Sequence, residues 1–355
     1  MEQIPEKRSS DLFAAISAHR RCIMGVAAVF IYIFHKHSQI FQSGYLATLE
    51  SCGKKVLFLG VDIFMLLSGL GLTYAIRKQK LVPFWLRRLK RIALPFLLTG
   101  AVVAFMEHWD AATVFGNLSG WNFYAKSVYS FLWFFPAIAT LYLLFPLYHT
   151  LFQRSKAPFV FTGIVLCVWL LASMLLADPL RAVDRLDLYA FTNRIPVFLI
   201  GVLFGEIAQT RTIWVTWLVR VLIVLIGAVG FYLEYKTLFK WTALLVPHAQ
   251  CCIPTLLIAV SLVFICAWIF DLLSRVRVGR WIRRIFDLLG VISLELYAAQ
   301  RITQIKWAAD LPWGNIIVLK NLTLFLLTLA IAVALYWINR GFCALVGLPF
   351  KKKKA

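Results

Sequence analysis

Apolar residues occur along this chain in blocks of about 20, which is the length that an α-helix needs to cross a bilayer. In a soluble domain the apolar residues come in shorter periodic runs instead. The pattern therefore predicts an all-α fold, a polytopic bundle of about ten transmembrane helices. We place the spans at about residues 22–41, 56–76, 92–105, 128–152, 159–177, 195–208, 213–232, 253–273, 286–305 and 316–338.

The chain carries no low-complexity linker long enough to separate two domains, so residues 1–355 are predicted to form a single transmembrane domain. Residues 1–21 are polar and mixed in charge, and the apolar run after them shows no small-residue cleavage site. They are therefore predicted to be a cytoplasmic amphipathic lead-in and not a signal peptide. Residues 341–355 are predicted to be a basic cytoplasmic tail.

The distribution of Lys and Arg residues predicts the orientation of the protein in the membrane. Of the 37 Lys and Arg residues, 24 fall on one side of the ten spans and 12 on the other, with Arg220 inside a span. This bias places both termini in the cytoplasm of a multi-pass protein. The net charge of +21 would indicate a nucleic-acid partner in a soluble protein. Here it indicates the positive-inside rule and a partner of anionic membrane lipid, without nucleic acid.

The second span holds a carboxylate, Asp62, among glycines in the stretch VLFLGVDIFMLLSGLGL. A charged group in hydrocarbon costs several kcal/mol, so an intramembrane Asp indicates a functional site. The glycines let a ligand or a neighbouring helix approach the backbone closely. The alternative is a helix-packing face with Asp62 at the water interface, and the stretch alone favours neither interpretation.

Two more titratable groups share the depth of Asp62. His35, Asp62 and Glu295 lie about 21, 22 and 16 Å along their helices from the cytoplasmic basic residues that flank them. His35 is the best candidate for a catalytic base, because imidazole titrates near neutrality. Either carboxylate is a candidate to orient it, with a local ion pair as the alternative role.

Side chains at the outer ends of two spans complete a predicted polar pocket inside the bundle. Trp133 begins the fourth span from that side, and Asn193 and Arg194 begin the sixth. The seven cysteines show no CxxC spacing, and the histidines are not paired at metal-ligand spacing. We therefore predict neither a metal site nor a disulfide framework.

Five stretches occur in an order that resembles the acyltransferase-3 family of membrane acyltransferases. They are GVDIFMLLSGLGL, FWLRRLKRIALPFLL, LWFFPAIATLYLLFPLY, NRIPVFLIGVLFG and ISLELYAAQ. The resemblance covers nearly the whole chain. It is to the stand-alone members of the family, which do not carry the extracellular SGNH domain that other members have. It implies transfer of an acyl group, usually acetyl from cytoplasmic acetyl-CoA, to a hydroxyl of surface or exported carbohydrate. The expected location is the plasma membrane.

The resemblance also assigns roles to residues. His35 corresponds to the histidine of the family's first helix and is expected to be catalytic, with Asp62 or Glu295 as the candidate carboxylate that orients it. The basic stretch holds Arg87, Arg88 and Arg91, which match the family's basic motif and are expected to bind the phosphates of CoA. Guanidinium groups suit this role because they bind phosphate bidentately. The alternative for each arginine is an ordinary positive-inside charge.

The chain departs from the family pattern at two positions. Met24 stands where family members have an Arg before the first apolar stretch, and Gln300 stands where a His is usual. Arg20 and Arg21, one helical turn earlier, are candidate substitutes for the first. Because of these departures, a non-catalytic relative of the family stays an alternative interpretation. A second alternative is a transporter that uses Asp, Glu and His as a proton relay, although the second half contains no copy of the GVDIF stretch.

Overall fold

The computed structural model describes residues 11–35, 39–125, 131–181, 186–240, 252–305 and 316–345. These residues form helices and no strand; an isolated antiparallel bridge joins Asp11 to Trp214. The helices are α1 (Leu12–His35), α2 (Gly44–Val56), α3 (Leu59–Ile76), α4 (Leu81–Met106), α5 (Ala111–Leu118), α6 (Trp121–Ala125), α7 (Phe134–Arg154), α8 (Pro158–Arg181), α9 (Leu186–Thr192), α10 (Ile195–Thr210), α11 (Trp217–Lys240), α12 (Cys252–Arg275), α13 (Arg277–Val291), α14 (Ser293–Ile305) and α15 (Ile317–Leu345).

The all-α, multi-span prediction is confirmed. Within the described ranges, nine helical segments are long and apolar enough to cross a membrane, and each coincides with a predicted span. The helices extend beyond several predicted ends. The first begins at Leu12, well inside the predicted lead-in, because Leu12, Phe13 and Ile16 already pack into the core. The last continues to Leu345, into the predicted tail.

The predicted span 286–305 is wrong as a single helix. The chain there forms α13 and α14, with a break at Ile292. The Ser293 hydroxyl donates to the Gly290 carbonyl at 3.0 Å, and a Gly and Ser pair is a recognised cause of sharp helix kinks. The consequence is that α14 begins in the middle of the bundle, where its first residues face other helices.

Helix α3 lies at the centre of the bundle, packed between α1, α10 and α12. Fourteen of its 18 residues are buried there, because small residues bring the backbones together. A Cβ at Gly69 would collide with the Phe198 carbonyl of α10, and a Cβ at Gly201 of α10 would collide with the Leu66 carbonyl. The glycines of this stretch therefore serve helix packing, which was one of its two interpretations.

Ion pairs between helix ends join loops that the charge bias places on the same side of the membrane. Arg21 pairs with Asp287 at 3.7 Å, at the end predicted to face the cytoplasm. Glu107 pairs with Arg301 at 3.6 Å, at the end predicted to face outward. No contact of this kind joins loops predicted on opposite sides, among the ion pairs of the described residues. The structure contains no membrane, so the cytoplasmic placement of the termini stays a prediction.

Candidate functional site

A cavity of about 50 Å³ lies among α1, α3, α4, α7 and α14. Its polar lining comes from four of the five stretches quoted above. These residues are Ser68, Arg91, Tyr142, Ser293 and Tyr297. Helix α1 contributes Met24 and Ile31 to the same cavity. The stretches that carry the resemblance therefore meet around one space, although they are spread from the first third of the sequence to its last fifth.

One face of α1 runs along this cavity. At 100° per residue, Arg20, Met24, Ile31 and His35 fall within an arc of about 60°. The 15 residues from Arg20 to His35 correspond to about 22 Å along the axis. Arg20 therefore stands below the cavity, and His35 stands one turn above Ile31. A guanidinium and an imidazole are held at opposite ends of a common face.

Arg20 turns into the bundle, whereas Arg21 turns away from it. The Arg20 guanidinium donates to the Leu67 carbonyl of α3 at 2.9 Å and fills the space beside Gly71. Arg21 is exposed and pairs with Asp287. Of the two candidate substitutes for the arginine replaced by Met24, the structure favours Arg20.

Arg20 belongs to a cationic group with two arginines of α4. Arg20 interacts electrostatically with both Arg88 and Arg91. No carboxylate of the described residues lies within ion-pair distance of these three guanidinium groups. Arg88 lies over the ring of Phe84, with 5.9 Å between its guanidinium carbon and the ring centroid. Such an excess of positive charge favours an anion at the lower end of the cavity. Arg87 is exposed and does not line the cavity.

Glu295 faces this cationic group. It lies in the first turn of α14, is 3% exposed, and interacts electrostatically with Arg91. Within the described chain its Oε2 accepts no hydrogen bond. Glu295 does not pair with Arg301, whose partner is Glu107.

Asp62 lies in a different polar group, not at a water interface. It is 1% exposed, and its Oδ2 lies 3.5 Å from Nε of Arg194. Arg194 also donates to the Ala190 carbonyl at 2.7 Å and lies between two rings. Its guanidinium carbon is 5.6 Å from the ring centroid of Phe58 and 5.5 Å from that of Trp133. Three predicted site residues, Asp62, Trp133 and Arg194, are thus brought together.

A further carboxylate joins this group and was missed by the sequence analysis. Glu234 of α11 is 1% exposed and interacts electrostatically with Asp62 and Arg194. Neither of its oxygens accepts a hydrogen bond from any described residue. The Oδ1 of Asn193 is likewise buried without a hydrogen bond in this part of the chain. The sequence signal that could have identified Glu234 was an acidic residue two positions beyond the predicted end of the seventh span.

Among the ion pairs of the described residues, none joins His35 to Asp62 or to Glu295. The Nδ1 of His35 lies 2.9 Å from the Ile31 carbonyl, and its ring packs edge-on against Phe34. A bond to a carbonyl requires the proton on Nδ1, so that in the neutral imidazole Nε2 is the nitrogen without a proton. His37, which lies two residues beyond His35 in the first predicted span and is a second candidate for the base, lies outside the described residues.

A second missed group closes the predicted cytoplasmic end. The buried carboxylate of Glu206 accepts from Arg77, from His149 at 3.0 Å and from Gln153 at 2.9 Å. These bonds tie α3 and α7 to α10. Because the carboxylate is fully bonded and lies away from the cavity, we assign it a structural role.

Comparison with known families supports the resemblance. The family model for the acyltransferase-3 acyltransferase domain matches residues 22–338 of the 355. No curated protein and no solved structure matches the chain. A match of this extent, together with the helical architecture, shows that the chain belongs to the acyltransferase-3 family and is a multi-pass membrane acyltransferase acting on groups other than aminoacyl groups.

Proposed function

We propose that the protein is an O-acetyltransferase of the plasma membrane that modifies polysaccharide of the cell envelope. It would take acetyl from cytoplasmic acetyl-CoA and transfer it to a hydroxyl of surface or exported carbohydrate. The observation that carries the proposal is the face of α1. This face lines the cavity with Met24 and Ile31, and it carries Arg20 one turn before Met24 and His35 one turn after Ile31.

The donor would bind from the cytoplasmic end. Arg20, Arg88 and Arg91 form a cationic group suited to the phosphates of CoA, since guanidinium groups bind phosphate with charge-assisted, bidentate hydrogen bonds. A space of 50 Å³ holds a few water molecules, which admits a narrow thioester and excludes a nucleotide. The phosphates would therefore stay at the arginines while the long arm of CoA leads the acetyl group into the cavity.

The acceptor would approach from the outer end. The ring of Trp133 suits the apolar face of a sugar, and Arg194, with Asn193 before it, holds that ring in place. The hydroxyl oxygen attacks the thioester carbonyl carbon, so that a C–O bond forms and the C–S bond breaks. The hydroxyl proton passes to Nε2 of His35 and then to the leaving thiolate of CoA. A donor for the oxyanion is available in the lining hydroxyl group of Ser68.

Position 24 bears on the alternative of a non-catalytic relative. Arg20 lies one turn before Met24 on the same face and reaches the same cationic group as Arg88. A guanidinium is therefore available one helical turn from the position where the family pattern has one. This supports an active enzyme over an inactive relative.

The activity is tested with purified protein in proteoliposomes, supplied with acetyl-labelled acetyl-CoA and a panel of carbohydrate acceptors. We expect label on a carbohydrate and free CoA in equal amount. Label on neither protein nor carbohydrate, with acetyl-CoA binding intact, would reject the transfer. Label that crosses the bilayer unattached to any acceptor would instead favour transport.

The donor site is tested separately by the affinity for acetyl-CoA. Replacing Arg88 with Ala should weaken binding by about tenfold or more, because hydrogen bonds to charged groups contribute about 1.5–3 kcal/mol. Replacing Lys353, which removes the same charge from the tail, should leave the affinity unchanged. Equal affinity in the Arg88 variant would make the basic stretch a topology signal only.

A further inference from the structure

Helix α13 presents two distinct outward faces along its length. Its most exposed apolar side chains are Val278, Trp281, Ile285 and Leu288, each between 54% and 71% exposed. At 100° per residue these four lie within about 80° of one another. Arg277, Arg280 and Arg284 are also exposed and fall on the adjoining side of the helix.

The remaining side of α13 is fixed to the bundle. A Cβ at Gly25 of α1 would collide with the Phe286 carbonyl, and a Cβ at Gly290 would collide with the Arg21 carbonyl. Gly279 is equally close to the Leu273 carbonyl of α12. With one side pinned by backbone contacts, the two outward faces have a fixed direction and belong to the surroundings of the protein.

We infer that this outward surface of α13 binds anionic lipid, with its arginines on lipid phosphates and its apolar face against the acyl chains. Helices with basic and Trp- or Leu-containing apolar faces bind the membrane interface in this way. The Arg284 guanidinium carbon lies 5.4 Å from the ring centroid of Trp281, so a cation and an interfacial aromatic already adjoin. The charge of the arginines excludes a neutral lipid as the preferred occupant.

The position of α13 gives this lipid site a consequence. Its Phe286 carbonyl packs on Gly25, which follows Met24 of the cavity, and α14 begins the cavity lining with Ser293 immediately after the break. A lipid that holds α13 would therefore hold two walls of the cavity. This consequence rests on the proposed function, whereas lipid binding itself does not.

The test compares lipid binding by a charge-removal variant and a matched control. Arg280→Gln with Arg284→Gln removes two charges from α13, and Lys236→Gln with Lys320→Gln removes two charges at the predicted outer end. Each protein is titrated with phosphatidylglycerol in phosphatidylcholine nanodiscs, and bound lipid is counted by native mass spectrometry. Each arginine near a membrane surface strengthens the binding of anionic lipid by about fivefold. The α13 variant loses two of them and should therefore bind phosphatidylglycerol about 30-fold more weakly. The control should bind like the unaltered protein.

Two further measurements test whether the variant is folded and whether the site requires a lipid rather than a phosphate group. Arg280→Lys with Arg284→Lys keeps the charge and should retain most of the binding, which guards against a folding defect in the Gln variant. Soluble glycerol phosphate should not compete, because the apolar face requires acyl chains. Unchanged lipid binding in the Gln variant, or full competition by glycerol phosphate, would overturn the inference. None of these measurements depends on acyl transfer, so a failure here is distinct from a failure of the proposed function.

Discussion

The buried pair of Asp62 and Arg194 predicts an asymmetric response to mutation. At 3.5 Å and an effective dielectric constant of about 20, their attraction is about 5 kcal/mol. Removing Arg194 leaves Asp62 buried and in electrostatic interaction with the carboxylate of Glu234, and breaking such a pair costs about 3–5 kcal/mol. Removing Asp62 is milder, because Arg194 keeps Glu234, the Ala190 carbonyl and two aromatic rings.

The assay is a double-mutant cycle in detergent, with the free energy of unfolding measured by titration with SDS. We expect Arg194→Gln to lose about 3–5 kcal/mol and Asp62→Asn to lose less than half of that. The double variant should be more stable than Arg194→Gln alone, because no unpaired Asp62 carboxylate remains. Equal losses in the two single variants, or strictly additive losses in the double variant, would refute this account of the cluster.

Three further outcomes are expected. His35→Ala should reduce acyl transfer by about 10² or more while acetyl-CoA still binds, and His37→Ala should keep most activity in the same assay; the reverse result would move the base to His37. Reporter fusions after Trp121 should read outside and after Lys156 inside, and a reversal at either position would contradict the predicted topology. Gly69→Val should lower the free energy of unfolding by about 1–3 kcal/mol, because its side chain meets the backbone of α10. An unchanged unfolding curve would show that the α3–α10 contact is looser than described.

The architecture could be predicted from the sequence because span length and charge bias are counted along the chain and do not depend on how the helices pack. The sequence located Asp62 and His35 within their helices for the same reason, since depth follows from counting residues along an axis. It did not show which helices are neighbours. The pairing of Asp62 with Arg194 and the meeting of Arg20 with Arg88 are properties of packing, which no spacing along one helix encodes.

Two other features were missed because apolar runs were read only by their length. Glu234 lies two positions beyond the predicted seventh span, and the kink at Ile292 lies within the predicted ninth span. In each case local chemistry held the signal. An acidic residue followed the seventh span, and a Gly and Ser pair interrupted the ninth.

The close backbone contacts of α1 determine where the protein can open. Glycines join α1 to α3 on one side, where Gly60 meets the Ala27 carbonyl, and to α13 on the other. Backbone atoms in contact have no rotamers to exchange, so α1 can neither rotate nor slide without separating whole helices. The α4–α7 boundary is different, because it is closed by ring pairs such as Phe84 with Phe145, whose centroids lie 5.9 Å apart. We therefore expect substrates to enter by rearrangement of aromatic side chains between α4 and α7, past a stationary α1.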